Sequence, residues 1–416
     1  MYGAHLPTPR QLLVPVMLVL LVGWCLALGA GPAFASHVSC GDTITADTTL
    51  DSDLDCSDLS GAPALTIGAD GVRLDLNGHT VSSACEVDCA GTAVIDDRAG
   101  YDSVRILDGT IRPNGAGAGV VLVGVDASAL EGLTIAGFPR LRGQPGVGIL
   151  LSDSDRNELD NSTITGGDPA LLLSGSDRNQ ISRTSIDGGI DIHIGDGIGL
   201  EDGSDHNHVV DSRVNGEGIG IGISRRGGFE LDSSMAPSVG NSVTRSSVGG
   251  YFGCILGFRA HRSVISHNSL DESRGRSIQM TSSDETVIRH NEVGAGLEIA
   301  GDRNRVAHND ISIFSWGFVV LQGDANRIRK NRVRGGIEDG IAVASAASNT
   351  LVAGNRVTGA FDDGIDVDAP GTIIRANTAI NNGDLGIEAV AGVIDGGGNK
   401  ASGNGNPAQC TNIFCR

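Results

Sequence analysis

The sequence predicts an all-β solenoid, a right-handed parallel β-helix of about 12 coils closed by disulfide-rich caps. Three observations predict it. Asn recurs in columns, the segments between them alternate apolar and polar residues, and 62 of the 416 residues are Gly. One column runs Asn157, Asn179, Asn207, Asn241, Asn304, Asn326 and Asn349, and a second runs Asn268, Asn291, Asn309, Asn331, Asn355 and Asn377. Most neighbouring members lie close to 22 residues apart. Alternation such as Ile341/Val343 reads as strand, and a period of this length reads as one coil of a repeat. A single coil cannot bury its apolar face. Stacking coils about 4.8 Å apart pairs every strand with the next and makes one continuous core. The column Asn is expected to take the left-handed turn conformation and to bond its counterpart one coil away.

The elements follow in chain order. Residues 1–35 read as a signal peptide: Arg10, the apolar run from Leu12 to Ala30, and Ala33-Phe34-Ala35 as the cleavage motif. Residues 36–103 are expected to form an N-terminal cap and first coils, 104–395 the β-helix, and 396–416 a C-terminal cap. No other stretch is long and apolar enough to span a bilayer. A secreted monomer is therefore expected, with no stable membrane insertion after cleavage. Export permits disulfides. Cys40/Cys56, Cys85/Cys89 and Cys410/Cys415 are close sequence pairs, read as three local bridges, although spacing does not fix connectivity. Cys254 is left over as a buried, inert thiol. With 30 basic against 50 acidic residues the net charge is −20, which argues against a nucleic-acid partner.

The segment GADGVRLDLNGHTV (68–81), the Asn-punctuated coils and the tail GGGNKASGNGNPAQC (396–410) resemble secreted bacterial β-helix repeat proteins. These belong to the pectin-lyase-like superfamily. The resemblance implies the fold. It leaves the activity open, because the superfamily holds lyases, hydrolases, epimerases, binding proteins and adhesins.

Aligning the coils on a small residue that opens one strand (Gly197, Gly218, Gly253, Ser277, Gly317, Gly340, Gly364, Gly386) reveals a polar column just before it. The column reads Asp196, Glu217, Phe252, Arg276, Trp316, Asp339, Asp363 and Leu385, with Tyr251, Glu338, Asp362 and Asp384 one step earlier. Aromatic faces stack on sugars, and carboxylates bond hydroxyls, hold Ca²⁺ or act as acid and base. An extracellular polysaccharide is thus the expected partner, bound by Trp316, Tyr251, Phe252, Asp196 and Glu217, with Arg225 and Arg226 on a long flanking loop. An Asp before Gly-Ile also serves simply to make a turn.

Glu338, Asp339, Asp362, Asp363 and Asp366 form the densest acidic stretch, and they are the expected Ca²⁺ ligands. The paired Asp residues resemble the acid cluster of polygalacturonase-type hydrolases. The Gly-His-Gly and Arg-Ile-Lys motifs of that group are absent, and GDLGIEA stands in the next coil. The layout resembles that of pectate-lyase-like enzymes, which implies a Ca²⁺-dependent lyase or epimerase rather than a hydrolase, with Arg276 as base or charge neutraliser and Asp339 and Asp363 holding the cation. Two rival classes remain. One is a non-catalytic adhesion solenoid. The other is a metal-handling accessory protein using His267, His290 and His308 for Cu or Zn.

Overall fold

Short runs of Ile, Val and Leu alternating with polar residues form parallel strands, and nearly every coil gives one strand to each of three sheets. The computed structural model describes residues 37–59, 61–84, 92–114, 117–136, 146–189, 195–224, 234–271, 274–313 and 317–416. Among these residues every regular element is a strand, as the predicted fold class requires. The first sheet has 15 strands, from Asp42–Ile44 to Ile387–Ala389. Twelve of them, beginning with Ala118–Val123, lie between residues 104 and 395. The second and third sheets follow the first around each coil. Arg105–Asn114 and Ala129–Ala136 are long enough to contribute to both.

The core is a set of stacked apolar columns. In the first sheet one column runs Ile255, Ile278, Leu297, Phe318, Ile341, Ile365 and Ile387 on successive coils, every member fully buried. In-register stacking removes each side chain from water at about 25 cal/mol per Å² of apolar area. At the coil corners the chains approach closely. A Cβ on Gly340 would lie 2.2 Å from Val357 Cγ1 and 2.7 Å from the Gly364 carbonyl oxygen, so that position admits only Gly.

The buried Asn ladders carry the polar interior. The Asn268 N–H donates to Asn291 Oδ1 at 3.0 Å, and its Nδ2 donates to the Val243 carbonyl at 2.8 Å. The pattern repeats through Asn309, Asn331, Asn355 and Asn377. Toward the amino end the same column continues as Ser246, Ser212, Thr184 and Ser162, whose hydroxyls accept the same backbone N–H. Two details differ from expectation. The left-handed conformation belongs to the residue before each ladder Asn, such as His267, His290, His308 and Lys330, while the Asn itself is buried just before the next strand. The first column passes through buried Thr350, while Asn349 takes the left-handed turn with φ +47°.

Both ends are stapled. Cys40–Cys56 and Cys410–Cys415 are disulfides, and Cys254 is a buried free thiol whose pKa burial pushes up to about 12. Cys85 and Cys89 lie outside the described residues. At the carboxyl end the tail covers the last first-sheet strand: Cys410 bridges Ile387, and the Gly386 N–H donates to the Gln409 carbonyl at 2.8 Å. Covering that edge removes a template for pairing with other chains. Residues 1–35, read above as the signal peptide, also lie outside the described residues. No helix among the described residues is long and apolar enough to cross a membrane.

Candidate functional site

The polysaccharide and Ca²⁺ site residues named from sequence that fall among the described ones lie along one line or next to it, while His267, His290 and His308 stack at the turn between the second and third sheets. This line is the corner where each coil passes from the third sheet back to the first. Asp339 sits between Arg332–Gly335 and Ile341–Ser348, and Asp362 and Asp363 between Arg356–Thr358 and Ile365–Val367. Asp196, Glu217, Tyr251 and Phe252 occupy the same corner in earlier coils. Trp316, Arg225 and Arg226 lie outside the described residues.

The register changes the column at three places, one of them the strand Gly296–Ala300, a whole coil between Arg276–Thr281 and Phe318–Asp324 that the alignment skipped. Ile198 pairs with Ile221 and Ile221 with Ile255, so the small opening residues are Gly220 and Cys254 rather than Gly218 and Gly253. The position after Asp196 in the column is therefore Ile219, whose N–H donates to Asp196 Oδ1 at 3.0 Å. Glu217 stands further back, against Gly189, and Gly253 takes the place expected for Phe252. Loops vary in length in these coils, and counting back from an opening glycine misplaces residues there.

Two clusters form along the corner. In the earlier one the Arg274 guanidinium lies over the Tyr251 ring, 4.8 Å from its centroid, and Phe252 meets Tyr251 edge-on at 4.9 Å. One coil on from Tyr251, Arg276 forms an ion pair with buried Glu298 at 3.0 Å, and Glu298 also accepts from Gln279 Nε2 at 2.9 Å. The later cluster is acidic. Asp339 Oδ1 accepts the Asp363 N–H at 3.0 Å, and Asp363 Oδ1 accepts the Leu385 N–H at 2.6 Å. These bonds brace the turns and leave the second carboxyl oxygens for other partners. Asp366 faces outward from the adjacent first-sheet strand, paired in register with Glu388. Asp362, Asp363 and Asp384 each present a carboxylate oxygen within 4.8 Å of one another.

This crowding moves proton affinities. Burial, together with Asp362, Glu338 and Glu388, pushes Asp339 up to about 6. Burial and neighbouring carboxylates push Asp366 up to about 7. Asp363 rises to about 8, chiefly through burial and then through a hydrogen bond with the Glu388 carboxyl. Carboxyl groups this close cannot all ionise at neutral pH without a proton or a cation between them.

Sequence reasoning missed the apolar border of this cluster. Phe361 is 79% exposed and Ile337 54% exposed, on adjacent coils directly before the acidic residues. An aromatic residue at a turn, outside the strand alternation, was the available signal. The two clusters are well separated. Arg276 lies three coils from Asp339 and four from Asp363, about 14 and 19 Å along the axis at 4.8 Å per coil. A cation held by those Asp residues and the Arg276 side chain do not meet on one sugar bond.

The His column is stacked in parallel. His267, His290 and His308 have ring centroids 4.9 and 5.0 Å apart and interplanar angles of 13° and 9°. Matching nitrogens thus lie one coil apart. A shared Cu or Zn needs each within about 2.1 Å of the ion, so the stack as it stands is not a preformed centre. The pKa of His308 is lowered by burial and by cationic neighbours His290, Lys330 and Arg329.

A family described as right handed beta helix region matches residues 66–243, 118–293 and 293–412, most of the chain. The chain belongs to the right-handed β-helix family. Similar solved structures include the following three. PfbA, a surface adhesin of Streptococcus pneumoniae, is 12% identical over 79% of this chain and 83% of its own, with a TM-score of 0.46. The DFA-IIIase of Arthrobacter chlorophenolicus A6 is 13% identical over 75% and 83%, at 0.43. The tailspike of E. coli bacteriophage HK620, solved with a hexasaccharide, is 10% identical over 90% and 73%, at 0.46. Among curated proteins none matches this sequence.

Proposed function

We propose that this β-helix protein acts outside the cell and binds a polysaccharide along the third-to-first corner. In this reading the acidic cluster grips the chain together with Ca²⁺. One observation carries it: an exposed Phe361 ring borders a cluster in which Asp339, Asp363 and Asp366 are crowded enough to rise to about 6, 8 and 7. The ring supplies a stacking face. The carboxylates supply hydroxyl acceptors and hard oxygen ligands for a cation. Asp362, Asp363 and Asp384 are the closest-set donors, with Glu338, Asp339 and Asp366 around them. Tyr251 and Arg274 would contact a longer polymer further along the corner. A Ca²⁺-dependent lyase or epimerase would draw its cation from this cluster and its base from a residue nearer than Arg276.

A second reading rests on the raised pKa of Asp363, pushed up to about 8 by burial and by the Glu388 carboxyl. A carboxyl of that kind is a general acid, which glycoside cleavage requires. Both chemistries free new reducing ends, so reducing ends formed without an unsaturated product, and lost in Asp363→Asn, would support it over elimination.

Calorimetric titration of the full chain with pectate, alginate and a neutral glucan, with and without Ca²⁺, tests the main reading. Saturable, Ca²⁺-dependent binding of one polymer is expected, weakened by Phe361→Ala and by Asp363→Asn/Asp366→Asn. Absence of binding to any polymer in Ca²⁺ would leave the adhesion solenoid as the better account.

A further inference from the structure

The chain has a net charge of −20, yet one strip of its surface is basic. The outward positions of the second sheet form two columns over five coils. One reads Val287, Arg305, Arg327, Leu351 and Ile373. The other reads Arg289, Ala307, Arg329, Ala353 and Arg375. Neither contains a carboxylate. Just across the turn, Lys330 takes the left-handed position, and Arg332 and Arg356 face outward on adjacent coils of the third sheet.

These Arg and Lys side chains are all exposed, and none forms an ion pair among the described residues. That is not the habit of the repeat. Nearby Arg262 and Arg303 both pair with Glu285, and Arg334 pairs with Asp310. Like charges opposite one another on neighbouring strands destabilise a sheet, and Arg305 and Arg327 are such a pair. The strip therefore stores repulsion that an anionic partner would relieve.

Its geometry defines the partner. Arg289, Arg329 and Arg375 recur on alternate coils, about 9.6 Å apart at 4.8 Å per coil, in a line parallel to the axis. Half-buried Ala307, between Arg289 and Arg329, leaves room for a ligand to lie close to the backbone there, whereas Ala353 is buried. The neighbouring column offers Leu351 and the 38%-exposed Ile373 as apolar contact for sugar-ring C–H faces. Arg presents a planar fork suited to carboxylate or sulfate. Neither column has an aromatic side chain for base stacking, and duplex phosphates at one per about 1.7 Å are far denser than these rows. We infer that this strip binds a linear anionic polysaccharide, through its regularly spaced carboxylates or sulfates, at a site separate from the third-to-first corner.

The test measures binding of the full chain to polygalacturonate, dextran sulfate and neutral dextran in EDTA at low salt, which silences any Ca²⁺-dependent corner site. Arg305→Gln/Arg327→Gln/Arg329→Gln alters outward positions that the repeat elsewhere fills with Val, Leu and Ala, and thermal unfolding checks its fold. The inference expects binding of at least one polyanion and none of dextran. It also expects about tenfold or greater weakening and a shallower salt dependence in the triple variant. Affinity that persists in EDTA and falls in the triple variant assigns the binding to the strip rather than to the Ca²⁺-dependent corner. Failure of the wild type to bind either polyanion, equal binding by the triple variant, or tighter binding of single-stranded poly(dT) would overturn it. Polygalacturonate binding without dextran sulfate binding would assign carboxylates as the recognised group, and the reverse would assign sulfates.

Discussion

Asp196 and Asp363 occupy the same corner of the solenoid seven coils apart, yet they do different work. Both are buried, and each accepts a backbone N–H from the next coil, Asp196 from Ile219 and Asp363 from Leu385. The difference lies in the outward column of the first sheet beside them. Near Asp196 that column reads Leu172, Gly199 and Gly222, and near Asp363 it reads Ala342, Asp366 and Glu388. A turn brace becomes part of a titrating cluster when its neighbouring column also carries carboxylates. In a solenoid the chemistry of a repeated residue is set by the column next to it as much as by its own.

The largest expected effect tests the brace. Asp196→Ala leaves the buried Ile219 N–H unpaired and should cost about 1–3 kcal/mol, whereas Asp196→Asn keeps the acceptor and should cost less. Asp363→Ala breaks the equivalent bond but relieves repulsion, so its loss at pH 8 should be the smaller of the two. Thermal unfolding of the variants at pH 5 and pH 8 measures both, and equal losses at pH 8 would break the comparison.

Next in size is the pH response. Asp339, Asp363 and Asp366 all have folded pKa values above the usual 3.8, at about 6, 8 and 7. The folded state holds these protons more tightly than the unfolded chain does. Their contribution is complete below about pH 4 and is lost as pH rises through 6 to 8. The midpoint of unfolding should fall between pH 5 and pH 9, with a flatter profile in Asp363→Asn/Asp366→Asn. An unchanged slope in that variant would remove the cluster as the cause.

Cation binding sharpens the same contrast more gently. Ca²⁺ that binds only the folded state raises stability by about 1.4 kcal/mol at roughly ten times its dissociation constant. Differential scanning calorimetry should show that shift at pH 8 and little at pH 5, where protons already neutralise the site. The shift should vanish in the double Asn variant.

Phe361→Ala should have the smallest effect on folding, within about 0.5 kcal/mol, because the ring is 79% exposed. Its effect should instead be read in polysaccharide affinity, with about tenfold weakening expected in the same calorimetric titration. A large drop in stability would recast Phe361 as a packing residue.

The sequence alone determined the features that repeat: parallel coils near 22 residues in period, inward Ile and Leu columns, and the Asn ladder through Asn268 to Asn377. Period and alternation encode these directly, because every coil must bury the same face and satisfy the same backbone groups. The acidic stretch was legible for the same reason, since Asp339 and Asp363 fall on coils of regular length. Only the tertiary structure decided what depends on register across irregular coils. It shifted Glu217 and Phe252 out of the column and put the left-handed turn one residue before each ladder Asn. It joined Arg276 to Glu298, exposed Phe361 beside the carboxylates, and gathered Arg289, Arg305, Arg327 and Arg329 on one strip. Those outcomes turn on which residues share a coil-to-coil neighbourhood. Loops of unequal length hide that from a linear count, while parallel pairing at one coil spacing makes it definite.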